Sequence, residues 1–328
     1  MSTPRIASRR TFLQTASAAA VASIGLPARA QTDYPKGPLK LIVGLPPGGA
    51  ADIIARTGAA LLEKSLKQAV VVENKPGGQF QISMQALLNA PADGHTMLYI
   101  YNGYASVSAT LKLFDLERQV VPIAQVASTP IVLLVRNDSP HKSAKDLWAY
   151  ARANPGKLTY GTLGAGGVEH LKWTQIERAM GFKGTSVPYK GGPDSMQGVL
   201  TGEIDCLLTA GLFAKLYVPK AQARALAVFE SARWQDFPEV PTMAETGVNV
   251  PPLAYWGGYV AKAGTPPEIV QRLHREIAAG ATAPQMLERL TATGALPLVS
   301  KVPDDFRKVI SSDIAWMTEA AKGLNLGG

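Results

Sequence analysis

Cysteine is nearly absent from this chain. Cys206 stands alone among 328 residues, so no intrachain disulfide can form and no cysteine-based metal cage can assemble. Histidine is scarce as well: His95, His141, His170 and His274 are the only four, and none lies at metal-ligand spacing from another histidine or a cysteine. The common catalytic signatures are missing too, with no Gly-x-Ser-x-Gly elbow, no Gly-x-x-x-x-Gly-Lys-Ser/Thr phosphate loop and no Gly-x-Gly-x-x-Gly after a strand. These absences disfavour an enzyme of a common class, and no cofactor is expected. Beyond residue 30 no apolar run approaches the roughly 20 residues needed to cross a bilayer. Repeats and low-complexity tracts are also lacking, which argues against a solenoid or a disordered module. The one cysteine sits in the apolar run 204–209 and reads as a buried structural thiol.

The N-terminus differs in kind. Ser8-Arg9-Arg10-Thr11-Phe12-Leu13 is a twin-arginine pattern, an apolar run over 16–26 follows, and Ala28-Arg29-Ala30 offers a small-residue cleavage site. That order predicts an export signal over residues 1–30, cleaved after Ala30 and before Gln31, and a soluble periplasmic mature chain. The signal holds four arginines and no acidic residue, so its removal lowers the formal charge from +8 to +4. So mild an excess gives no reason to expect nucleic acid. What remains is long enough for two domains of about 100–200 residues each.

The mature chain opens on a strand, a tight turn and a helix start. Leu41-Ile42-Val43 is a short apolar run that breaks at Pro46-Pro47-Gly48-Gly49 before an amphipathic segment. Glycine lets a backbone approach a ligand closely, and the first N–H groups of a helix lack intrahelical partners, so such a turn suits a carboxylate or phosphate. Taken alone, it is equally an ordinary turn whose glycines only shape the chain. Strands are predicted over 70–72 and 96–101, with helices over 53–66 and 81–88 between them. The β-α-β-α-β order predicts a parallel, doubly wound sheet with ligands beyond the carboxyl ends of its strands. It puts Pro47-Gly48-Gly49, Pro76-Gly77-Gly78 and Asn102-Gly103-Tyr104 on one rim.

Two further strands, 120–127 and 131–135, are predicted on either side of Ser128-Thr129-Pro130, and a second α/β series follows. Ser143 and Asp146 have capping-box spacing at the start of a helix. Strands are expected over 158–161, 185–188, 204–209 and 223–229, with helices over 168–180, 195–200 and 212–220. This series has its own glycine turn, Gly164-Ala165-Gly166-Gly167. A strand over 255–261 and helices over 268–279, 284–293 and 303–322 complete the chain, with Pro267 and Pro284 suited to helix starts.

Several stretches then fall into a recognisable order: Pro46-Pro47-Gly48-Gly49-Ala50-Ala51-Asp52, Val70-Val71-Val72-Glu73-Asn74-Lys75-Pro76-Gly77, and Ala92-Asp93-Gly94-His95-Thr96. Leu158-Thr159-Tyr160-Gly161-Thr162-Leu163-Gly164-Ala165-Gly166, Val187-Pro188-Tyr189-Lys190-Gly191, Pro238-Glu239-Val240-Pro241-Thr242 and Gly264-Thr265-Pro266-Pro267 follow. With these motifs in register, the chain resembles the Bug family, the extracytoplasmic substrate-binding receptors of tripartite tricarboxylate transporters. The resemblance implies an α/β periplasmic binding protein fold, type II-like, with a ligand cleft between two lobes. Residues 31–125 with 229–328 would form lobe 1, and 126–228 lobe 2. It also implies a non-enzymatic receptor that closes on a small carboxylate, a dicarboxylate or an aromatic carboxylate, and delivers it to membrane permease subunits. A monomer is expected. Two alternatives from other classes are a twin-arginine-exported enzyme with an unrecognised site and a ligand sensor for a membrane kinase.

Members of this family hold carboxylates largely with backbone N–H groups and bridging waters from turns on both lobes. Carried onto this sequence, the ligand-binding set is Pro47, Gly48, Gly49 and Ala50 on one side and Thr162, Gly164, Ala165, Gly166 and Gly167 on the other. Asn102, Tyr189 and Thr209 complete the surround. Two helix N-termini facing each other suit one carboxylate per lobe. Asp52 is expected to complement the helix dipole or brace the turn, since an aspartate would repel an anion. Phe80 and Tyr104 depart from the family pattern, which has small residues at the first place and a serine- or threonine-rich loop at the second. Both residues either point into the cleft and stack on an aromatic carboxylate or pack within the core and loop. Thr209-Ala210-Gly211 stands where many members carry aspartate or asparagine. Lys190 either brings a cationic head to the cleft or is a solvated loop lysine, and His170 is expected on a helix face.

Overall fold

The computed structural model describes residues 34–324, so the export signal and its cleavage site lie outside the described residues. Strand β1 (Leu39–Val43) is buried at four of its five positions because both its faces are covered. It runs parallel to β2 (Val70–Asn74) and to β3 (Thr96–Tyr101), with Leu41 opposite Val72 and Met97. Helix α1 (Ala50–Leu66) makes the first crossover and buries one stripe, Ile54, Ala55, Ala59, Leu62 and Leu66. Helix α2 (Gln81–Leu88) makes the second. The parallel β-α-β-α-β unit expected from the pattern is present.

The chain departs from expectation just after β3. The segment around Asn102 is no loop: α3 (Asn102–Thr110) starts directly at the strand end, with Tyr101 in extended conformation as its N-cap. A short helix, α4 (Leu116–Gln119), leads into β4 (Val120–Arg136), one unbroken strand of 17 residues where two were expected. Pro130 does not interrupt it because the pairing partner changes there, so its missing N–H falls between two ladders. The half up to Pro130 pairs antiparallel with β9 (Ala254–Lys262), which also pairs with β3, and β10 (Leu296–Pro297) adds to the same half. From Ile131 onward, β4 pairs antiparallel with β7 (Cys206–Ala210) on one edge and β8 (Ala223–Val228) on the other. Strand β5 (Thr159–Thr162) then lies parallel to both β7 and β6 (Thr185–Pro188). Two strand sets, β2-β1-β3-β9 and β7-β5-β6, therefore share β4.

The helices of the second set are α5 (Ala144–Ala153), α6 (Val168–Met180), α7 (Gly192–Thr201) and α8 (Gly211–Tyr217). The capping box forms as expected: Asp146 N–H donates to Ser143 Oγ at 3.2 Å and Ser143 N–H to Asp146 Oδ2 at 2.9 Å. After β9 come α9 (Pro267–Ala281), α10 (Pro284–Ala292) and α11 (Pro303–Ala320), each with proline in its first turn. Helix α11 packs along α3 and β4. Its Asp313 accepts hydrogen bonds from Trp256 Nε1 at 2.6 Å and Trp316 Nε1 at 3.0 Å. Cys206 is buried, and burial pushes its thiol up, as befits a structural group.

Candidate functional site

The turn between β1 and α1 is braced from within. The Asp52 carboxylate accepts from Gly48 N–H at 3.1 Å, from Asn74 Nδ2 at 2.8 Å and from Arg56 Nε at 3.0 Å. Burial alone would raise this carboxyl, but the Arg56 and Asn74 side chains and the Gly48 N–H together hold it below its ordinary value. Both oxygens are thus occupied by the protein itself, which matches the bracing role expected of Asp52. Gly48 has φ +87°, a conformation that favours glycine. Gly49 is the N-cap without a side-chain cap, and the first intrahelical bond is Ile53 N–H to Gly49 C=O. The N–H groups of Ala50 and Ala51 therefore have no partner within the helix, and Gly49, Ala50 and Ala51 all line a cleft.

A second helix N-terminus faces this one. Gly192, Pro193 and Ser195 at the start of α7 line the same cleft, and Ser195 Oγ donates back to the carbonyls of Gly191 and Gly192. The two turns touch: a Cβ on Gly191 would lie 2.8 Å from Pro46 Cδ, and one on Gly49 would lie 3.9 Å from Pro193 Cδ. Between them lies ≈ 810 Å³ of space free of protein atoms, part of it open solvent. Its walls are the carboxyl ends of β3, β5 and β7, as expected for parallel strands, with Thr129 of β4 and the start of β9 across them. Tyr99, Tyr101, Tyr255, Trp256 and Phe213 are the aromatic residues among its lining, with the Trp256 indole itself bonded to Asp313 and packed on Phe306.

Among the described residues that line this cleft there is no lysine, arginine or histidine. Any anion held here must be met by backbone N–H groups, hydroxyls and helix ends. The one carboxyl in the lining is Glu169 of α6. It is 7% exposed; its Oε1 accepts from Tyr255 Oη at 2.6 Å, while Oε2 has no partner. Burial pushes this carboxyl up, and the hydrogen bond from Tyr255, together with the approach of the residue's own backbone N–H, only partly offsets it. The Tyr101 hydroxyl is likewise buried and unpartnered. Burial raises it well above the usual phenol range, with Glu169 adding to the effect.

Residues 54–326 match the sequence model of the tripartite tricarboxylate transporter family receptor, TctC. The chain belongs to that family. Protein BugT of Bordetella pertussis is 33% identical over 305 residues, which cover 90% of this chain and 91% of BugT. The solved periplasmic binding protein BugD superposes with a TM-score of 0.83 at 26% identity, covering 89% of this chain and 99% of BugD. Rpa4515 of R. palustris, solved with adipate, gives a TM-score of 0.83 at 29% identity, covering 88% of this chain and 98% of Rpa4515. This TctC protein shares the two-lobed α/β fold of such periplasmic binding proteins and is a solute-binding receptor, not an enzyme.

Of the residues singled out in the sequence, Gly49, Ala50, Thr162 and Thr209 line the cleft together. Pro47 and Gly48 lie on its exposed rim. Thr162 Oγ1 shares a hydrogen bond with Ser186 Oγ and accepts from Gly164 N–H. The glycine turn itself packs elsewhere. A Cβ on Gly164 would meet the Gln79 side chain; Gly166 C=O accepts from Ser106 Oγ and Thr110 Oγ1, and Gly166 N–H donates to His170 Nδ1. Ala165 is exposed, and Gly167 caps α6. Asn102 Nδ2 donates to Ala254 C=O. Tyr189 packs its ring over Gly198, and Lys190 is exposed. Phe80 and Tyr104 are buried and stacked on each other, centroids 4.4 Å apart, and the Tyr104 hydroxyl bonds Ser83 Oγ at 2.6 Å. Neither lines the cleft, so the packing alternative describes their position.

Glu169, Tyr101, Tyr255, Trp256 and the start of α7 line the cleft without being among the residues expected there. One signal for α7 was present: Gly191-Gly192-Pro193 closes the Val187-Pro188-Tyr189-Lys190-Gly191 motif and has the same glycine-then-helix form as Pro46–Ala50. Glu169 gave none, because it is Tyr255, distant in sequence, that makes its burial visible.

Proposed function

We propose that this TctC protein is a periplasmic receptor that closes on a small carboxylate, a dicarboxylate or an aromatic carboxylate, and delivers it to the membrane permease subunits of a tripartite tricarboxylate transporter. It works as a monomer, exported by the twin-arginine signal over 1–30 and cleaved after Ala30. Residues 31–125 with 229–328 move as one lobe against 126–228, and ligand shifts the population toward the closed form. The observation that carries this reading is the pair of facing helix N-termini, Gly49–Ala51 of α1 and Gly192–Pro193 of α7, in an aromatic cleft lined by no cationic side chain. The adipate carried by Rpa4515 supports the ligand class.

Thermal unfolding with a panel of dicarboxylates and aromatic carboxylates tests it. A ligand at about 100 times its dissociation constant adds about 2.7 kcal/mol to stability. Stabilisation by cations or neutral sugars alone would sink the carboxylate reading. Uptake of the stabilising ligand by membrane vesicles holding the permease should require the receptor.

A further inference from the structure

Two buried polar atoms of residues that line the cleft bond to no other residue. Glu169 Oε2 and the Tyr101 hydroxyl both belong to lining residues, and neither has a hydrogen-bond partner. Buried polar atoms without partners are rare in native structures, because such an atom gives up its hydration and gains no bond in return. The pair is held in place from several sides. Tyr255 of β9 donates to Glu169 Oε1 and lies edge-on to Tyr101, with ring centroids 5.8 Å apart. Tyr101 folds back over Gly103, where a Cβ would sit 2.4 Å from its hydroxyl oxygen, so only glycine there leaves room for the ring. Phe80 also packs edge-on to Tyr101, with ring centroids 5.5 Å apart. These contacts hold the rings and the carboxyl in place.

The chemistry of the pair narrows what can meet it. An ionised carboxyl accepts hydrogen bonds only, and a phenol can both give and take. A second ligand carboxylate placed against Glu169 would set two like charges together in a buried site. A hydroxyl or an ammonium group instead gives Oε2 the donor it lacks, with Tyr101 as a second partner. Resting on the carboxylate reading above, we propose that Glu169 and Tyr101 form a donor-recognition subsite, so that the preferred ligand is a carboxylate carrying a hydroxyl or ammonium group at its other end. Sites built to hydrogen-bond a ligand group reject analogues that lack it, since the buried partners are then left unpaired. Glu169 is thus a specificity-determining residue, and the facing helix ends supply affinity for the carboxylate.

The test is a matched series at two chain lengths, measured by calorimetry on the full mature chain. It compares hexanoate, adipate, 6-hydroxyhexanoate and 6-aminohexanoate, then butyrate, succinate, 4-hydroxybutyrate and 4-aminobutyrate. At one length or the other, the hydroxy or amino acid should bind at least tenfold more tightly than the unsubstituted acid and the diacid. Glu169→Gln and Glu169→Leu separate the two donors. A hydroxyl preference should survive the glutamine, whose amide oxygen still accepts, and vanish in the leucine variant; an ammonium preference should vanish in both. Should Glu169→Leu fail to fold, Tyr101→Phe removes the other unpaired atom without touching the Tyr255 bond, and it should cut the same preference at least threefold. Equal binding of all four acids within threefold, tightest binding of the diacid, or a preference that persists in Glu169→Leu or in Tyr101→Phe overturns the subsite and leaves the carboxylate receptor standing. If no acid in the series binds while neutral alcohols do, the carboxylate reading falls, and the subsite with it.

Discussion

The contact between Pro46 and Gly191 is the sharpest place to perturb the cleft. Gly191 has φ 179°, an extended conformation open to any residue, so Gly191→Ala introduces no backbone strain. The added Cβ would instead lie 2.8 Å from Pro46 Cδ and 3.0 Å from Cγ, inside van der Waals contact with a rigid ring. Overpacking of this kind costs about 1–3 kcal/mol. If the two turns meet only when the lobes close, the whole cost falls on the closed state, and affinity for a bound carboxylate drops roughly 5- to 150-fold. Unfolding of the unliganded protein should move little. Gly49→Ala is the companion, because its Cβ would lie 3.9 Å from Pro193 Cδ, an ordinary contact. Calorimetric titration of both variants, paired with thermal unfolding without ligand, reads the two effects separately. Affinity within twofold of the parent in Gly191→Ala, or an unliganded melting point that falls as far as the liganded one, would refute the closure argument; the second outcome would make the contact a permanent part of the fold.

Asp52→Ala removes the acceptor for three donors around the first turn, and should lower stability by about 2–4 kcal/mol in urea unfolding, with only partial relief from water at the exposed Gly48. Because the folded Asp52 carboxyl lies below its unfolded value of about 3.9, its contribution is complete above that pH and is lost as pH falls through the lower folded value, so parent and variant should converge in strong acid. Lys172 gives the opposite pH signature. Burial holds its ammonium down to about 8, against an unfolded value of about 10.4, so between these values the unfolded chain binds the extra proton and stability rises with pH. The rise between pH 7.5 and 9.5 should be about 2 kcal/mol and should disappear in Lys172→Met.

Much of the frame is legible because its signals are local. The run Leu41–Val43, broken at Pro46-Pro47-Gly48-Gly49, reads as a covered strand, Pro267 and Pro284 start helices because their missing N–H groups are not needed there, and the capping box at Ser143 forms by short-range geometry alone. Strand β4 was hidden because Pro130 is a breaker by local rules, and only the change of partner from β9 to β7 makes it harmless. The cleft is less legible still. Two glycine turns open helices in the second series, and nothing near Gly164–Gly167 or Gly191–Gly192 says which will face α1. That is set by how the two strand sets meet along β4. The same holds for the aromatic residues: Phe80 and Tyr104 stand out by departing from a family pattern, yet they stack in the core, while Tyr101 and Tyr255 line the cleft from unremarked strand positions.

The cleft also divides its labour in a way that magnitudes make visible. A helix N-terminus contributes typically 0.3–1 kcal/mol to an anion and up to about 2 in a partly buried setting, so two of them fall well short of the roughly 8 kcal/mol of micromolar binding, before the cost of immobilising the ligand. Burying some 200 Å² of apolar ligand surface adds about 5 kcal/mol, and Tyr99, Tyr101, Tyr255 and Phe213 are among the residues that line the cleft. On the proposed reading, the glycine turns would select for charge at modest strength, and the aromatic residues of the wall would provide most of the affinity. Discrimination is left to the few fixed polar atoms in that wall. Substitutions in the turns should accordingly shift all carboxylates together, whereas changes at Glu169 and Tyr101 should reorder them.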